Sequence, residues 1–216
     1  MKGQFEHLLK RAMDLGLGGL ASIVAFPVVC AGAILVRLES PGPVFYRSLR
    51  VGRGGTPFRM YKLRTMVVGA DRAGPAVTGP GDSRITRAGR FLRRTKIDEL
   101  PQLVNVLAGD MSLVGPRPEH PDFVRFYDER QRGVLAVRPG MTSAASVRYH
   151  DEELQLSRSD VEADYRDRIL PAKLEIDLRY VERSGPAEDL RILARTVLLV
   201  IGKLSPFRRG RSAEGR

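Results

Sequence analysis

LGLGGLASIVAFPVVCAGAILV, residues 15–36, runs for 22 residues without a formal charge. A helix of that length reaches across a hydrocarbon core of ~30 Å, so the segment belongs in a membrane. It is longer than the roughly 7–15 apolar residues of a cleaved signal. It also leads into Arg37 and a Ser40-Pro41-Gly42-Pro43 turn rather than a small-residue cleavage site, and is read as retained. Pro27, near its middle, removes a backbone hydrogen bond and collides with the carbonyl of Ile23, which predicts a kink or break, with Ser22 placed to satisfy freed carbonyls. Lys2, Lys10 and Arg11 precede the run, and Arg37, Arg47 and Arg50 follow it. Positive residues favour the cytoplasmic side, so both ends are drawn to it. On these residues a kinked span and a re-entrant helical hairpin both stay open. Asp14, three residues after Arg11 and four after Lys10, is expected to pair with them near the interface in a structural role.

The chain of 216 residues, 43% of them hydrophobic, fits one domain with a real core. Its net charge of +11 attracts polyanions, whether nucleic acid, anionic lipid or phosphorylated small molecules. Cys30 is the single cysteine, which excludes an internal disulfide, and His7, His120 and His150 are too scattered for a zinc site.

Beyond the apolar run, Val44–Arg50 and Pro57–Met66 flank Gly52-Arg53-Gly54-Gly55 and predict a β-hairpin, with Arg59, Lys62 and Arg64 on or beside its second strand. Residues 69–83, rich in glycine and proline, predict a mobile loop. Helical spacing resumes over 85–107, with one apolar face and a basic set that includes Arg84, Arg87, Arg90, Arg93, Arg94 and Lys96. Residues 122–135 and 151–183 predict further helices charged on one side, with a turn at Arg138-Pro139-Gly140. Leu190, Leu193, Val197, Leu198 and Ile201 alternate with Arg191, Arg195 and Lys203, which suits a helix in the membrane interface or a core helix. Arg208-Arg209-Gly210-Arg211 reads as a short disordered basic tail able to touch anionic lipid.

The densest chemistry lies in Arg93-Arg94-Thr95-Lys96-Ile97-Asp98-Glu99-Leu100-Pro101, followed by Gly109-Asp110-Met111-Ser112 and Gly115-Pro116-Arg117-Pro118. A carboxylate can attack a phosphoryl group if cations offset the repulsion between the two anions; Asp98 suits the attack, and Arg93 and Arg117 the neutralisation. Mg²⁺ is the expected cofactor, since one or two carboxylates such as Asp98 and Glu99 plus substrate phosphates can hold it. The competing reading is a capping box, with Thr95 capping a helix, Asp98 completing the box and Glu99 favoured by the helix dipole. No phosphate loop of the Gly-x-x-x-x-Gly-Lys-Ser/Thr type is present, and Gly16, Gly18 and Gly19 fall inside the apolar run, which disfavours a P-loop or Rossmann enzyme.

Five stretches carry a family resemblance: Lys10-Arg11 with Asp14 ahead of the proline-broken run; Pro43-Val44-Phe45-Tyr46 with Arg50-Val51-Gly52; Tyr61-Lys62-Leu63-Arg64-Thr65-Met66; Asp98-Glu99-Leu100-Pro101-Gln102-Leu103 with Asn105-Val106-Leu107; and 109–118. Over residues 10–145 the chain resembles the monotopic bacterial phosphoglycosyl transferases, which initiate capsule, O-antigen, exopolysaccharide and glycoprotein glycan assembly. The resemblance implies an α+β, mostly helical fold with a re-entrant membrane helix over 1–40 broken at Pro27, a catalytic domain over 41–207 on the cytoplasmic face of the inner membrane, interfacial helices and a basic tail over 208–216. It implies that Asp98 attacks a UDP-sugar, expels UMP and hands the phosphosugar to polyprenol phosphate. Asp98 and Glu99 are then the Mg²⁺-dependent dyad, Arg93, Arg117 and Lys62 the phosphate contacts, and membrane lipids the surroundings, in a minimal catalytic unit. Thr142-Ser143-Ala144-Ala145-Ser146-Val147-Arg148 departs from the Gly-Trp-Ala-Gln-Val of many members, which leaves sugar choice open.

The rival class is a non-catalytic membrane anchor whose basic face binds nucleic acid or anionic lipid in a salt-sensitive way. With 6% aromatic residues and no tryptophan, the chain has little material for stacking on single strands, and no nucleic-acid partner is expected.

Overall fold

The computed structural model describes residues 2–75, 77–157 and 160–204; the basic tail at 208–211 lies outside them. Helix α1, Lys2–Glu39, continues through Pro27 and is the one described helix long and apolar enough to cross a membrane. Ser22 Oγ donates to the carbonyl of Gly18, not to that of Ile23. The expected pairing of Asp14 does not form. Asp14 is buried and accepts from Ser112 Oγ and Leu113 N, both at 2.9 Å. Lys10 reaches Asp189 and the Val114 carbonyl, while Arg11 takes the Val106 and Leu107 carbonyls at 2.7 and 2.9 Å. Those carbonyls end a helix, where a cation is favoured over a carboxylate partner one turn away. At the other end Glu39 accepts from Arg87 N and Ala88 N, each at 2.7 Å, and Arg64 holds the Ser40 and Pro41 carbonyls. Between these anchors Gly18 faces Val106, and Gly32 lies so close to Leu63 that an added Cβ would meet it at 2.7 Å. Leu20, Ile23, Val24 and Phe26 on the opposite face are exposed.

The predicted hairpin is present as β1, Phe45–Val51, antiparallel to β2, Pro57–Leu63. Its turn is a 3-10 segment, Arg53–Gly55, in which Gly54 and Gly55 adopt positive φ of 67° and 81°. The described residues of 69–83 contain no regular helix or strand, yet Arg84 organises them by donating to the Ala70 and Pro75 carbonyls and to Asp82. The single helix expected over 85–107 is three pieces: α2, Arg87–Thr95; a 3-10 segment, Ile97–Gln102; and α3, Leu103–Ala108. The break is at Lys96, whose φ of 60° is the one positive value at a described non-glycine residue.

Strand β3, Ser112–Val114, pairs in parallel with β4, Gly140–Thr142, a sheet that the turn expected at 138–140 did not anticipate. Between them lie α4, Pro121–Val124, and a 3-10 segment, Gln131–Ala136, instead of one helix over 122–135. After α5, Ala144–Arg148, helix resumes at α6, Val161–Asp164, passes through a π-type segment, Tyr165–Ile169, and continues as α7, Leu170–Arg183. Only the later part of 151–183 is therefore continuous helix. Helix α8, Pro186–Leu204, buries Ile192 and leaves Leu190, Val197, Leu198 and Ile201 exposed. The hairpin joins three core clusters, contributing Val51 to that of α4 and α7, Met60 to that of α3, β3 and α8, and Leu63 to that of Val36 and Leu92.

Candidate functional site

The left-handed turn at Lys96 ends α2 and starts a new helical direction, a conformation that costs a non-glycine residue about 1–2 kcal/mol and tends to persist at functional sites. It places Asp98 inward, 5% exposed, on a segment packed against α1, β2 and α2. The capping box is absent: Thr95 Oγ1 donates back to the Phe91 and Leu92 carbonyls, and the 3-10 segment has no side-chain cap.

Arg117 arrives on the loop after β3. Gly115 N donates to the Thr142 carbonyl at 3.0 Å, Gly140 N to the Pro116 carbonyl at 2.9 Å, and Arg117 N to Asp177 at 3.3 Å. So held, the guanidinium grips Glu99: Nη2 lies 2.7 Å from Oε1 and Nη1 3.4 Å from Oε2. Lys62, on β2, donates to the same Oε1 at 3.1 Å. Arg93, in the last turn of α2, and Lys96 add positive charge felt at Asp98. The structure thus brings together Lys62, Arg93, Asp98, Glu99 and Arg117, while Pro27 lies exposed on α1, outside this cluster.

The two carboxylates differ sharply. Burial pushes the Glu99 carboxyl up, but Arg117 and Lys62 outweigh it and hold Glu99 well below its ordinary value. Burial, and then the Glu99 charge, push Asp98 above its ordinary value against Lys62, Lys96 and Arg93. Burial likewise lowers Lys62, against the pull of Glu99. Glu99 Oε1 takes both Lys62 and Arg117, whereas Asp98 Oδ1 is buried without a hydrogen-bond partner.

No cluster of three or more metal-ligating His, Cys, Asp or Glu occurs among the described residues. Mg²⁺ needs no such cage: one or two carboxylates plus substrate phosphate oxygens suffice. Asp98 Oδ1, buried and unpartnered, and Glu99 Oε2, with its single 3.4 Å contact, fit that donor set.

Sequence reasoning missed a buried support behind Arg117. Glu119 accepts from Tyr165 Oη at 2.6 Å and lies 3.5 Å from Lys173 and 3.8 Å from Arg50; Lys173 also reaches Glu152 at 2.7 Å. Asp177, pushed up to about 6 by burial, joins the Arg117 loop to α5 by also accepting from Ala145 N at 3.1 Å. Lys173 and Asp177 are one turn apart on a helix that reads as charged on one side, and nothing in that pattern says that these two face inward. Nor does the position of Glu119, directly after Pro118, mark it as buried.

The chain belongs to the bacterial sugar transferase family, whose sequence profile matches residues 5–203. It is 39% identical over 193 residues to the UDP-glucose:undecaprenyl-phosphate glucose-1-phosphate transferase of Caulobacter vibrioides, covering 88% of this chain and 68% of that protein. It is 49% identical over 122 residues to a putative undecaprenyl-phosphate N-acetylgalactosaminyl 1-phosphate transferase of Bacillus subtilis, covering 56% and 68%. With the UDP-N-acetylgalactosamine-undecaprenyl-phosphate N-acetylgalactosaminephosphotransferase of Aeromonas hydrophila it shares 37% identity over 196 residues, which is 89% of this chain but 44% of that protein.

Proposed function

We propose that the protein transfers a sugar 1-phosphate from a UDP-sugar to polyprenol phosphate through a phosphosugar on Asp98, and so initiates a bacterial glycoconjugate. The observation that carries this reading is the contrast within the dyad: Oε1 of Glu99 is held by Arg117 and Lys62, and Asp98 keeps a buried free oxygen. Asp98 attacks the sugar-linked phosphorus; the bond to the bridging oxygen breaks, and that oxygen and its electron pair leave with UMP. An oxygen of polyprenol phosphate then attacks the same phosphorus and releases the carboxylate of Asp98. Lys62, Arg93, Lys96 and Arg117 oppose the two carboxylates, leaving a surplus of positive charge to offset the substrate's negative charge. Mg²⁺ bound by Asp98 and Glu99 would add Lewis-acid polarisation of the phosphoryl oxygens.

The re-entrant placement of α1 is part of the same reading. Arg11 and Glu39 are about 42 Å apart along a straight helix, yet both ends of α1 are bonded to one body. A crossing helix would put ~30 Å of hydrocarbon between its ends. Two anchored ends with an exposed apolar middle fit a helix that enters and leaves by the cytoplasmic face of the inner membrane, bending at Pro27. Phe91, Val104, Leu107 and the exposed side of α8 then rest at head-group level, with 41–207 as the catalytic part.

The test is UMP release by the full chain in detergent with Mg²⁺, polyprenol phosphate and separate UDP-sugars, UDP-glucose and UDP-N-acetylgalactosamine first. Release that requires one donor supports transfer; silence with every donor, beside tight salt-sensitive binding of polyanions, would favour a non-catalytic anchor instead. A pH profile gives a second check. Asp98 must be ionised to attack and its pKa is raised, so kcat/KM falls with acid at a pH above the ordinary aspartate value of 3.8. In Glu99→Gln the charge that raises Asp98 is gone, so the acid limb of the residual activity moves to lower pH; a limb that stays put would disconnect it from Asp98.

A further inference from the structure

Among the described residues, Asp14, Arg64, Asp98 and Gln102 each bury a polar side-chain atom without a hydrogen-bond partner, and of these Gln102 leaves both Nε2 and Oε1 so. Buried unpaired polar atoms destabilise a fold, and an apolar side chain of similar shape removes that burden. Packing therefore gives no reason for a carboxamide here. Gln102 belongs to the same 3-10 segment as Asp98, and its inward residues are Asp98, Pro101 and Gln102. Gln102 is 0% exposed and Asp98 5%, while the side chains of Glu99, Lys62 and Arg117 are 13%, 19% and 26% exposed. Asp98 and Gln102 are thus buried on one short segment, four residues apart, and the amide has no partner.

We propose that Gln102 is a further substrate-contacting residue, whose carboxamide receives the junction between phosphoryl group and sugar when it is joined to Asp98. Phosphoryl oxygens only accept hydrogen bonds, and Nε2 donates; sugar hydroxyls and acetamido N–H groups donate, and Oε1 accepts. One uncharged side chain supplies both, where Lys62 and Arg117 already supply the charge. This inference rests on the transfer reading above.

The experiment compares wild type with Gln102→Met and, as a second packing variant, Gln102→Leu, each as the full chain in detergent. Thermal unfolding is measured beside formation of the covalent phosphosugar adduct by intact mass, using UDP-glucose and UDP-N-acetylgalactosamine without acceptor. The expected result is an unchanged or higher Tm with adduct formation slowed about 10- to 100-fold, the scale of losing one or two hydrogen bonds made in the transition state. Adduct formation at the wild-type rate in either folded variant would overturn the proposal, with a buried water as the sole occupant of the amide. Loss of folding in both would equally overturn it, by making the carboxamide structural. A wild type that forms no adduct and releases no UMP defeats the transfer reading and this one together, whereas an active wild type beside an equally active Gln102→Met defeats only the role of Gln102.

Discussion

Asp98→Asn releases UMP at least roughly 10³-fold more slowly than wild type, the scale of removing a nucleophile while leaving its surroundings in place. The substitution keeps the side chain's shape and removes the carboxylate, and with it the ability to form an acyl phosphate. The fold does not depend on the lost charge: burial disfavours the Asp98 carboxylate, and Oδ1 makes no hydrogen bond. Thermal unfolding of Asp98→Asn is therefore expected at or above the wild-type temperature, and the loss cannot be assigned to misfolding. Glu99 keeps Lys62 and Arg117, so donor binding survives better than turnover, and the adduct seen by intact mass in wild type disappears. Equal UMP release from both proteins would remove Asp98 as the nucleophile.

The second large effect is on stability. Gly140→Ala places a Cβ 2.1 Å from Gly115 N and 2.4 Å from both Gly115 O and Thr142 O. All three are backbone atoms, and two belong to the turn that delivers Arg117, so no side-chain rotation relieves the clash. The parallel pairing of β3 with β4 must open, at a cost on the order of 4 kcal/mol or more. For a chain of this length each kcal/mol corresponds to roughly 2–4 °C, so Tm falls by about 10 °C. Gly16→Ala is the control: nothing lies within 4 Å of its added Cβ, and the unfolding temperature is expected to hold. Similar behaviour of the two variants would mean that the β3–β4 contact is looser than its geometry.

The hairpin was legible because its signals are local, with alternating strands around a glycine turn. Asp98 and Glu99 stand out in the sequence because acids and cations crowd one short stretch. The break at Lys96 was not: apolar spacing continues across it, and a single left-handed residue leaves no trace in hydrophobic period. Strands β3 and β4 are three residues each, with 25 residues between Val114 and Gly140, so pairing rather than propensity defines them. Asp14 shows the same limit for charge. Spacing on one helix offered Lys10 and Arg11, and the folded chain chose Ser112 and Leu113. The pairing of Arg117 with Glu99 was not legible: the sequence offered Arg117, with Arg93, as a cation for the substrate phosphate, and it lies 18 residues from Glu99.

The anchoring of α1 also sets a timetable. A ribosome delivers the N-terminus first, but Asp14 waits for Ser112, 98 residues downstream, and Lys10 for Asp189, 179 residues downstream. At ~5–20 residues per second the second interval lasts roughly 10–40 s. For most of that interval the apolar helix is already made while Asp189, which later ties its first turns to α8, is still absent. Membrane insertion and docking are thus separate events in the life of the chain, and a truncation before Asp189 would produce a helix that reaches the bilayer without the tether between its first turns and the last helix.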